Sequence, residues 1–552
     1  MDNSEVRFSQ IPTVEKPRSI FDRSFSHKTT LNTGDLIPLS WDEVYPGDTI
    51  SMDFAHVTRM TTPIAPVMDN SVLDIYAFFV PNRLIWEHAK EFWGENNTTH
   101  WEQPIEYYIP QIDAPTTTGW AVGSLADYLG LPVGIPGIQT SALPFRAYCK
   151  IINDWFRDEN LKDPCNMNIN DTTVQGINDP GHTYDYVTDT QLGAKPFKVA
   201  KMHDYFTSAL PSPQKGPDVT LPLGTTAPVH TYDAEQSITG IPTTPLKWYT
   251  NGTFNQGSHA AFISTDANGV NTSTAKTTAG TEGGLSSAYP SNLYADLGKA
   301  TAATINQLRQ AFAVQRFYEA QARGGSRYIE FVHNIFGVTS PDARQQRAEY
   351  CGGKRFPINV DQVLQTSSTD SVTPQGNTAA YSCTINADNL ATYSSTEHGI
   401  FMVVGCIRTV HTYQQGVNKS WLRKKWSDFY VPQFAHLGEQ AIINEEIYAQ
   451  GTSADKQAFG YQEAWADLRY KPSYVTGKMR SGITGSLDIW HYADHYTSQP
   501  YLSSDWIDET EANVQRTLAV QTEPQFIMDT HFKTQWTRIL PTYSVPGLLD
   551  HF

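Results

Sequence analysis

The segment Lys419-Ser-Trp421-Leu-Arg423-Lys424-Lys425-Trp426 is the polar constellation of this chain best suited to binding chemistry. Lys419, Arg423, Lys424 and Lys425 alternate with the flat rings of Trp421 and Trp426. Single-stranded nucleic acid asks for that mixture, because cations neutralise phosphates and aromatic planes stack on bases without sequence preference. The same residues also suit a subunit interface, where the cations meet acids of a neighbouring copy and the tryptophans pack. A second basic cluster, Arg344, Arg347, Lys354 and Arg355, has less aromatic company.

Catalytic patterns are much thinner. His491-Tyr-Ala-Asp-His495 spaces two imidazoles four apart but lacks the glutamate that zinc hydrolases place after the first histidine. Asp266-Ala-Asn268-Gly269 starts like a calcium loop without its further acidic ligands. The chain has no phosphate-binding G-x-x-x-x-G-K-[ST], no dinucleotide G-x-G-x-x-G and no G-x-S-x-G. The reading is therefore no enzyme, no catalytic residue, no metal and no cofactor.

The elements that must hold these residues are mostly strands. Ile50, Met52, Phe54, His56, Thr58 and Met60 share one face of a two-residue period, which predicts a half-buried strand over Thr49–Met60. Ser71–Val80 reads as a more central strand, stopped by Pro81. Strand-like runs recur at Tyr328–Ile335, Gly399–Tyr413, Gly482–Trp490 and Gln525–Phe532. Helical spacing marks Trp86–Trp93, Leu143–Asn160 and a run from Thr301 to about Arg323. Strands separated by long irregular connections predict a β-sandwich with grown loops, Ile50, Met52, Phe54, Ile75 and Phe79 lying inside.

Four regions follow: an extended arm over residues 1–45, a first part of the sandwich over 46–210, an insertion over 211–298, and the remainder over 299–552. The insertion is rich in Thr, Ser, Gly, Asn and Pro and nearly free of charge, too polar to build a large core alone. The arm lacks the period of either a helix or a strand.

Composition points to extensive contacts between proteins. Charged residues are 18% and aromatics 12% of 552 residues, with a formal net charge of −17. Few ions and many rings favour buried interfaces over a large free surface. The apolar runs Val72–Val80 and Ile400–Ile407 fall far short of the ~20 residues that span a bilayer. The first residues lack the layout of a signal peptide. Cys149, Cys165, Cys351, Cys383 and Cys406 are dispersed, which suits a reducing cytoplasm.

Several blocks carry a family resemblance in order along the chain. They include Thr62-Pro-Ile-Ala-Pro-Val-Met-Asp69, Phe78-Phe-Val-Pro-Asn-Arg-Leu84, Leu143-Pro-Phe-Arg-Ala-Tyr148, Trp155-Phe-Arg-Asp-Glu-Asn-Leu161 and His203-Asp-Tyr-Phe-Thr-Ser208. Ala322-Arg-Gly-Gly-Ser-Arg-Tyr328, Thr412-Tyr-Gln-Gln-Gly416 and Phe459-Gly-Tyr-Gln-Glu463 continue the series. From about Phe21 to Trp490 the chain resembles major capsid proteins of the Microviridae, gokushovirus branch. The likeness thins over 217–298 and near the carboxy terminus.

The resemblance implies a mainly β fold: a viral eight-stranded jelly-roll β-sandwich with long loop insertions and a few helices. It implies self-assembly into a T=1 icosahedral shell around circular single-stranded DNA, inside the host bacterial cytoplasm. Implied partners are the chain itself, the genome, a small basic DNA-binding protein, a pilot protein, a scaffolding protein and a host cell-surface receptor, with no membrane insertion. The insertion then forms three-fold protrusions, with Trp248, Phe254 and Phe262 packing between copies. Asn268, Asn271, Thr274, Thr277 and Glu282 would sit on a receptor-facing tip. Without the family, a carbohydrate-binding or carbohydrate-cleaving β-sandwich is the alternative, since exposed Trp and Tyr stack on sugars.

Overall fold

A computed structural model describes residues 17–96, 105–178, 184–217, 219, 229–231, 248–250, 288–290, 293–295, 305–364, 378–381 and 383–543. Eight strands build its core: β1 (Phe25–Leu31), β2 (Asp35–Val44), β3 (Thr49–Met60), β4 (Ser71–Pro81), β5 (Glu349–Ile358), β6 (Thr384–Ser394), β7 (Gly399–Thr409) and β8 (Phe526–Arg538). One sheet runs β1-β8-β3-β6 and the other β2-β7-β4-β5. Every neighbouring pair is antiparallel. The chain thus crosses between the sheets at nearly every step, and the fold is an eight-stranded jelly roll.

Side-chain patterning explains the two layers. In β3 the residues from Ile50 to Met60 at even numbers are buried, while the odd ones are part-buried or exposed. They face Leu73, Ile75, Phe79, Phe401 and Val403 of the other sheet in one continuous core. In the second sheet the central strands β4 and β7 are buried along nearly their whole length. The outer side of this sheet, with Phe78, Val80, Met402 and Val404, packs on the helix α1 (Leu143–Ile151) through Phe145 and Tyr148. Strands covered on both faces lose the polar alternation, which is why β4 and β7 read as unbroken apolar runs.

Asp74 is the exception within β4. Its buried carboxylate accepts from Arg355 Nε at 2.6 Å and Nη2 at 2.9 Å and from Arg408 Nε at 3.0 Å. Burial pushes this carboxyl up, but the two guanidiniums outweigh it and hold it below its usual value. A core charge is tolerated here because both neighbouring strands supply a counter-ion.

Three expectations change. From Ser19 on, the expected arm is part of the sandwich. Ser19–Asp22 and β1 both pair with β8, and β2 lies beside β7. Pro38 is accommodated where the β2–β7 register shifts, on a strand whose other side is paired only at Asp35 and Leu36. Tyr328–Ile335 is a helix instead of a strand. Gly482–Trp490 is a loop ending in the 3-10 turn Asp488–Trp490, because Gly482 and Gly485 take φ of +77° and +72° and break any extended run.

The helix expected over Leu143–Asn160 is regular only to Ile151 and continues as one π-helical turn over Ile152–Phe156. The chain divides into two compact units, Met1–Pro213 with Gln321–Phe552, and Gln214–Ala320. In the second, the strands Val229–Thr231 and Leu293–Ala295 pair, as do Trp248–Thr250 and Ala288–Pro290. The helix α2 (Ile305–Gly324) begins there, and α3 (Tyr328–Phe336) follows it in the first unit. No helix among the described residues is long and apolar enough to cross a membrane.

Candidate nucleic-acid interface

The basic segment occupies the long excursion between β7 and β8. Asn418 caps a single helical turn, Lys419–Leu422, by accepting from Ser420 N at 2.9 Å. The chain then reverses at Lys424 and Lys425, whose backbone N–H groups both donate to Asp428 Oδ2 at 2.8 Å. Those bonds hold the Asp428 carboxyl below its usual value. The reversal turns both lysine side chains outward, and Trp421 and Trp426 flank them at 82% and 74% exposure. Trp426 stacks on Phe434 at 6.0 Å between centroids, so its plane is braced while remaining open.

The six residues therefore split into two groups. Arg423 bonds Asp467 in a nearly buried pair and lies 5.8 Å from the Phe429 ring. Lys419 donates to Ala441 O at 3.2 Å and stands 3.9 Å from Glu446. Both are tied within the subunit. Lys424 and Lys425 are exposed and form no ion pair among the described residues. Trp421, Lys424, Lys425 and Trp426 are thus the groups free to meet a strand of phosphates and bases.

The second basic cluster is mostly consumed by the fold. Arg355 holds Asp74, Lys354 pairs with Asp388 at 2.8 Å, and Arg347 donates to Asp154 O at 3.0 Å while stacking 3.8 Å over Trp155. Arg344 alone of the four is exposed without an ion pair among the described residues.

Sequence reading missed a cleft of about 920 Å³ beside the basic turn, lined by Tyr205, Tyr413, Trp421, Asp467, Tyr470 and Tyr474, among others. Its walls come from four separated segments, so no local pattern announces it. Burial pushes the Glu446 carboxyl at its floor up, partly offset by Lys419, and Tyr205 OH donates to it at 2.9 Å.

The histidine pair resolves differently. His491 and His495 lie in a loop, where His491 Nε2 bonds Met479 O at 2.6 Å. Asp494 between them faces His411 instead. No group of residues able to hold a metal is found among the described residues.

Residues 9–548 match the family described as Capsid protein (F protein). The chain belongs to that capsid protein family. It is 44% identical to the capsid protein VP1 of Spiroplasma virus 4, covering 95% of this chain and 94% of that one. It is 40% identical to the capsid protein VP1 of Bdellovibrio phage phiMH2K over 100% and 99% of the two chains. Identity with the capsid protein VP1 of Chlamydia phage 1 is 38%, over 98% and 97%. These relatives mark a gokushovirus-type Microviridae capsid protein, a structural component of the virion and not an enzyme.

Other expected contacts of this capsid protein fall largely elsewhere. Trp248 lies in a described strand, paired in register with Pro290. Phe254, Phe262, Asn268, Asn271, Thr274, Thr277 and Glu282 lie outside the described residues.

Separating the two groups of residues yields a prediction. A Lys424→Gln/Lys425→Gln double variant is expected to keep its fold and to flatten the salt dependence of oligo-dT binding. Its slope of log K against log salt should fall by about 1.4, two single-strand phosphate contacts. Trp421→Ala should cost about 1–3 kcal/mol of the same binding. Arg423→Gln should instead lower the melting temperature, since it strands Asp467. Filter binding across a salt series and thermal unfolding measure the two effects. An unchanged slope in the double lysine variant would return the patch to a subunit interface.

Proposed function

We propose that this capsid protein is the major shell subunit of a T=1 icosahedral particle enclosing circular single-stranded DNA, assembled in the host bacterial cytoplasm. The observation that carries the reading is the jelly roll with both sheet orders intact, in a chain related end to end to viral capsid proteins. Such a sandwich offers flat sides and loop-bearing ends to neighbours in a closed lattice.

DNA contact is assigned to Trp421, Lys424, Lys425 and Trp426. At net −17 the subunit cannot neutralise a genome by itself. A small basic DNA-binding protein is therefore a partner, with a scaffolding protein during assembly and a pilot protein in the particle. The insertion 211–298 is assigned to three-fold protrusions, Trp248, Phe254 and Phe262 to contacts there, and Asn268, Asn271, Thr274, Thr277 and Glu282 to a tip that meets a host receptor.

Reconstruction by electron microscopy of particles from infected or expressing cells tests the shell. Closed T=1 shells with DNA density against the Trp421–Trp426 turn are expected, and a stable monomer or small oligomer would overturn the reading. Shortening residues 268–284 to a tight turn is expected to leave particle yield unchanged and to reduce adsorption to host cells. Undiminished adsorption rejects the receptor role, and loss of particles makes the loop architectural.

A further inference from the structure

The helix α3 is strongly apolar, yet none of its side chains is buried. Tyr328 and Phe336 at its ends are 69% and 67% exposed, Ile335 is 39% exposed, and Ile329 and Val332 are half-buried. At 100° per residue, Tyr328, Ile329, Val332, Ile335 and Phe336 fall within a stripe about 120° wide, with Val332 on its mid-line. A stripe of that width is what a helix normally buries against a partner element.

The helix is also held firmly in place. Arg327 Nη2 donates to Asn153 O at 3.2 Å and Arg157 O at 2.7 Å, and Ser326 N donates to Glu159 at 2.7 Å. Arg327 further pairs with Glu330 at 3.0 Å. A rigid apolar face loses little freedom when it docks.

The order of residues says what docks. Tyr-Ile-Glu-Phe-Val-His-Asn-Ile-Phe reads almost alike in both directions: aromatic ends, isoleucine inside them, then a polar residue, then a ring, with Val332 central. Two antiparallel copies related by a two-fold axis through Val332 would set Tyr328 against Phe336 of the partner subunit and Ile329 against Ile335 of the partner subunit. Glu330 would lie near Asn334 of the partner subunit. An isologous contact sets residue i against residue j and j against i, and in this pairing the facing residues Tyr328 with Phe336 and Ile329 with Ile335 are apolar on apolar, as such a contact needs.

We infer that α3 is a two-fold contact between copies of this chain, centred on Val332. The inference rests on self-assembly of the capsid protein and not on the T=1 geometry or on DNA binding.

Cross-linking tests it with the full-length chain. Val332→Cys, oxidised with copper phenanthroline, is expected to give a covalent dimer on non-reducing gels that the wild-type chain does not give. Mixed Tyr328→Cys and Phe336→Cys chains should cross-link only to each other. In a second arm, Tyr328→Lys/Phe336→Lys places like charges face to face and should cut the associated fraction at least about tenfold, a change of about 1.4 kcal/mol. Tyr328→Lys/Phe336→Glu should restore it. Absence of the Val332 cross-link, or equal association of the two charge variants, overturns the inference. Whether the wild type forms closed particles is scored separately. Its failure to do so counts against the shell reading, while a Val332 cross-link in free dimers still supports this contact.

Discussion

Replacing His411 by Phe is expected to lower the unfolding free energy of the subunit by about 3–5 kcal/mol, the cost of removing one member of a buried ionic group. His411 follows β7 and is buried between two carboxylates. Its Nδ1 lies 3.0 Å from Asp494 and its Nε2 3.0 Å from Glu509. Thr409 Oγ1 donates to Glu509 at 2.7 Å, and Tyr496 OH and Asn513 Nδ2 donate to Asp494 at 2.8 and 2.5 Å. Lys201 stands 3.9 Å from Asp494. Burial alone would push the imidazole down, but the charges of Asp494 and Glu509 and their hydrogen bonds hold it up at about 10. Asp494, pushed up by burial, is held well below the usual carboxylate range by His411. Phenylalanine fits the ring space but leaves both acids facing one another without the cation.

The sign of the pH dependence follows from the same geometry. His411 titrates near 6.5 when unfolded and near 10 when folded, so its contribution is complete below pH 6.5 and is lost as pH rises through about 10. The difference in stability between wild type and His411→Phe should therefore be largest below pH 6.5 and shrink from there toward pH 10. Denaturant unfolding of both chains at several pH values measures it. A difference that stays constant from pH 7 to 10 would mean that the imidazole is neutral in the folded subunit.

This cluster shows why the fold was more legible than the sites. The alternation in β3 and the apolar runs of β4 and β7 are local signals, and burial follows them residue by residue. The edge strands were harder. β5 carries Gly352, Gly353 and Pro357, and β6 is largely polar, because an edge strand has one free side and tolerates both. In α3, β-branched and aromatic residues suggested a strand, although its apolar positions keep helical spacing. The basic turn was visible as composition, but which cations are free depends on Asp467, far along the chain from Arg423. Asp74 consumes Arg355 and Arg408 in the same way. His411, Asp494 and Glu509 share no sequence window, so nothing local links them.

The second large effect is expected at Trp536, where two contributions compete. Its side chain is fully buried in β8, opposite Ile50 of β3, with the guanidiniums of Arg538 and Arg23 4.4 and 4.8 Å from the ring. Truncation to Ala empties the space of an indole between the sheets and should cost about 3–5 kcal/mol. Trp536→Phe keeps most of that volume. It gives up part of the cation–π attraction, about 0.5–2 kcal/mol. It also removes the indole Nε1, which meets no acceptor among the described residues. A buried donor left unpaired costs about 1–3 kcal/mol, so its loss offsets the weaker ring contact. Trp536→Phe should therefore unfold within about 1 kcal/mol of wild type, against the severalfold larger loss in Trp536→Ala. Because β8 lies between β1 and β3, the alanine variant is also expected to lose particle assembly before the phenylalanine variant as temperature rises. Urea unfolding of the three chains ranks them, and a phenylalanine variant as unstable as the alanine one would mean that Nε1 is paired in the folded subunit.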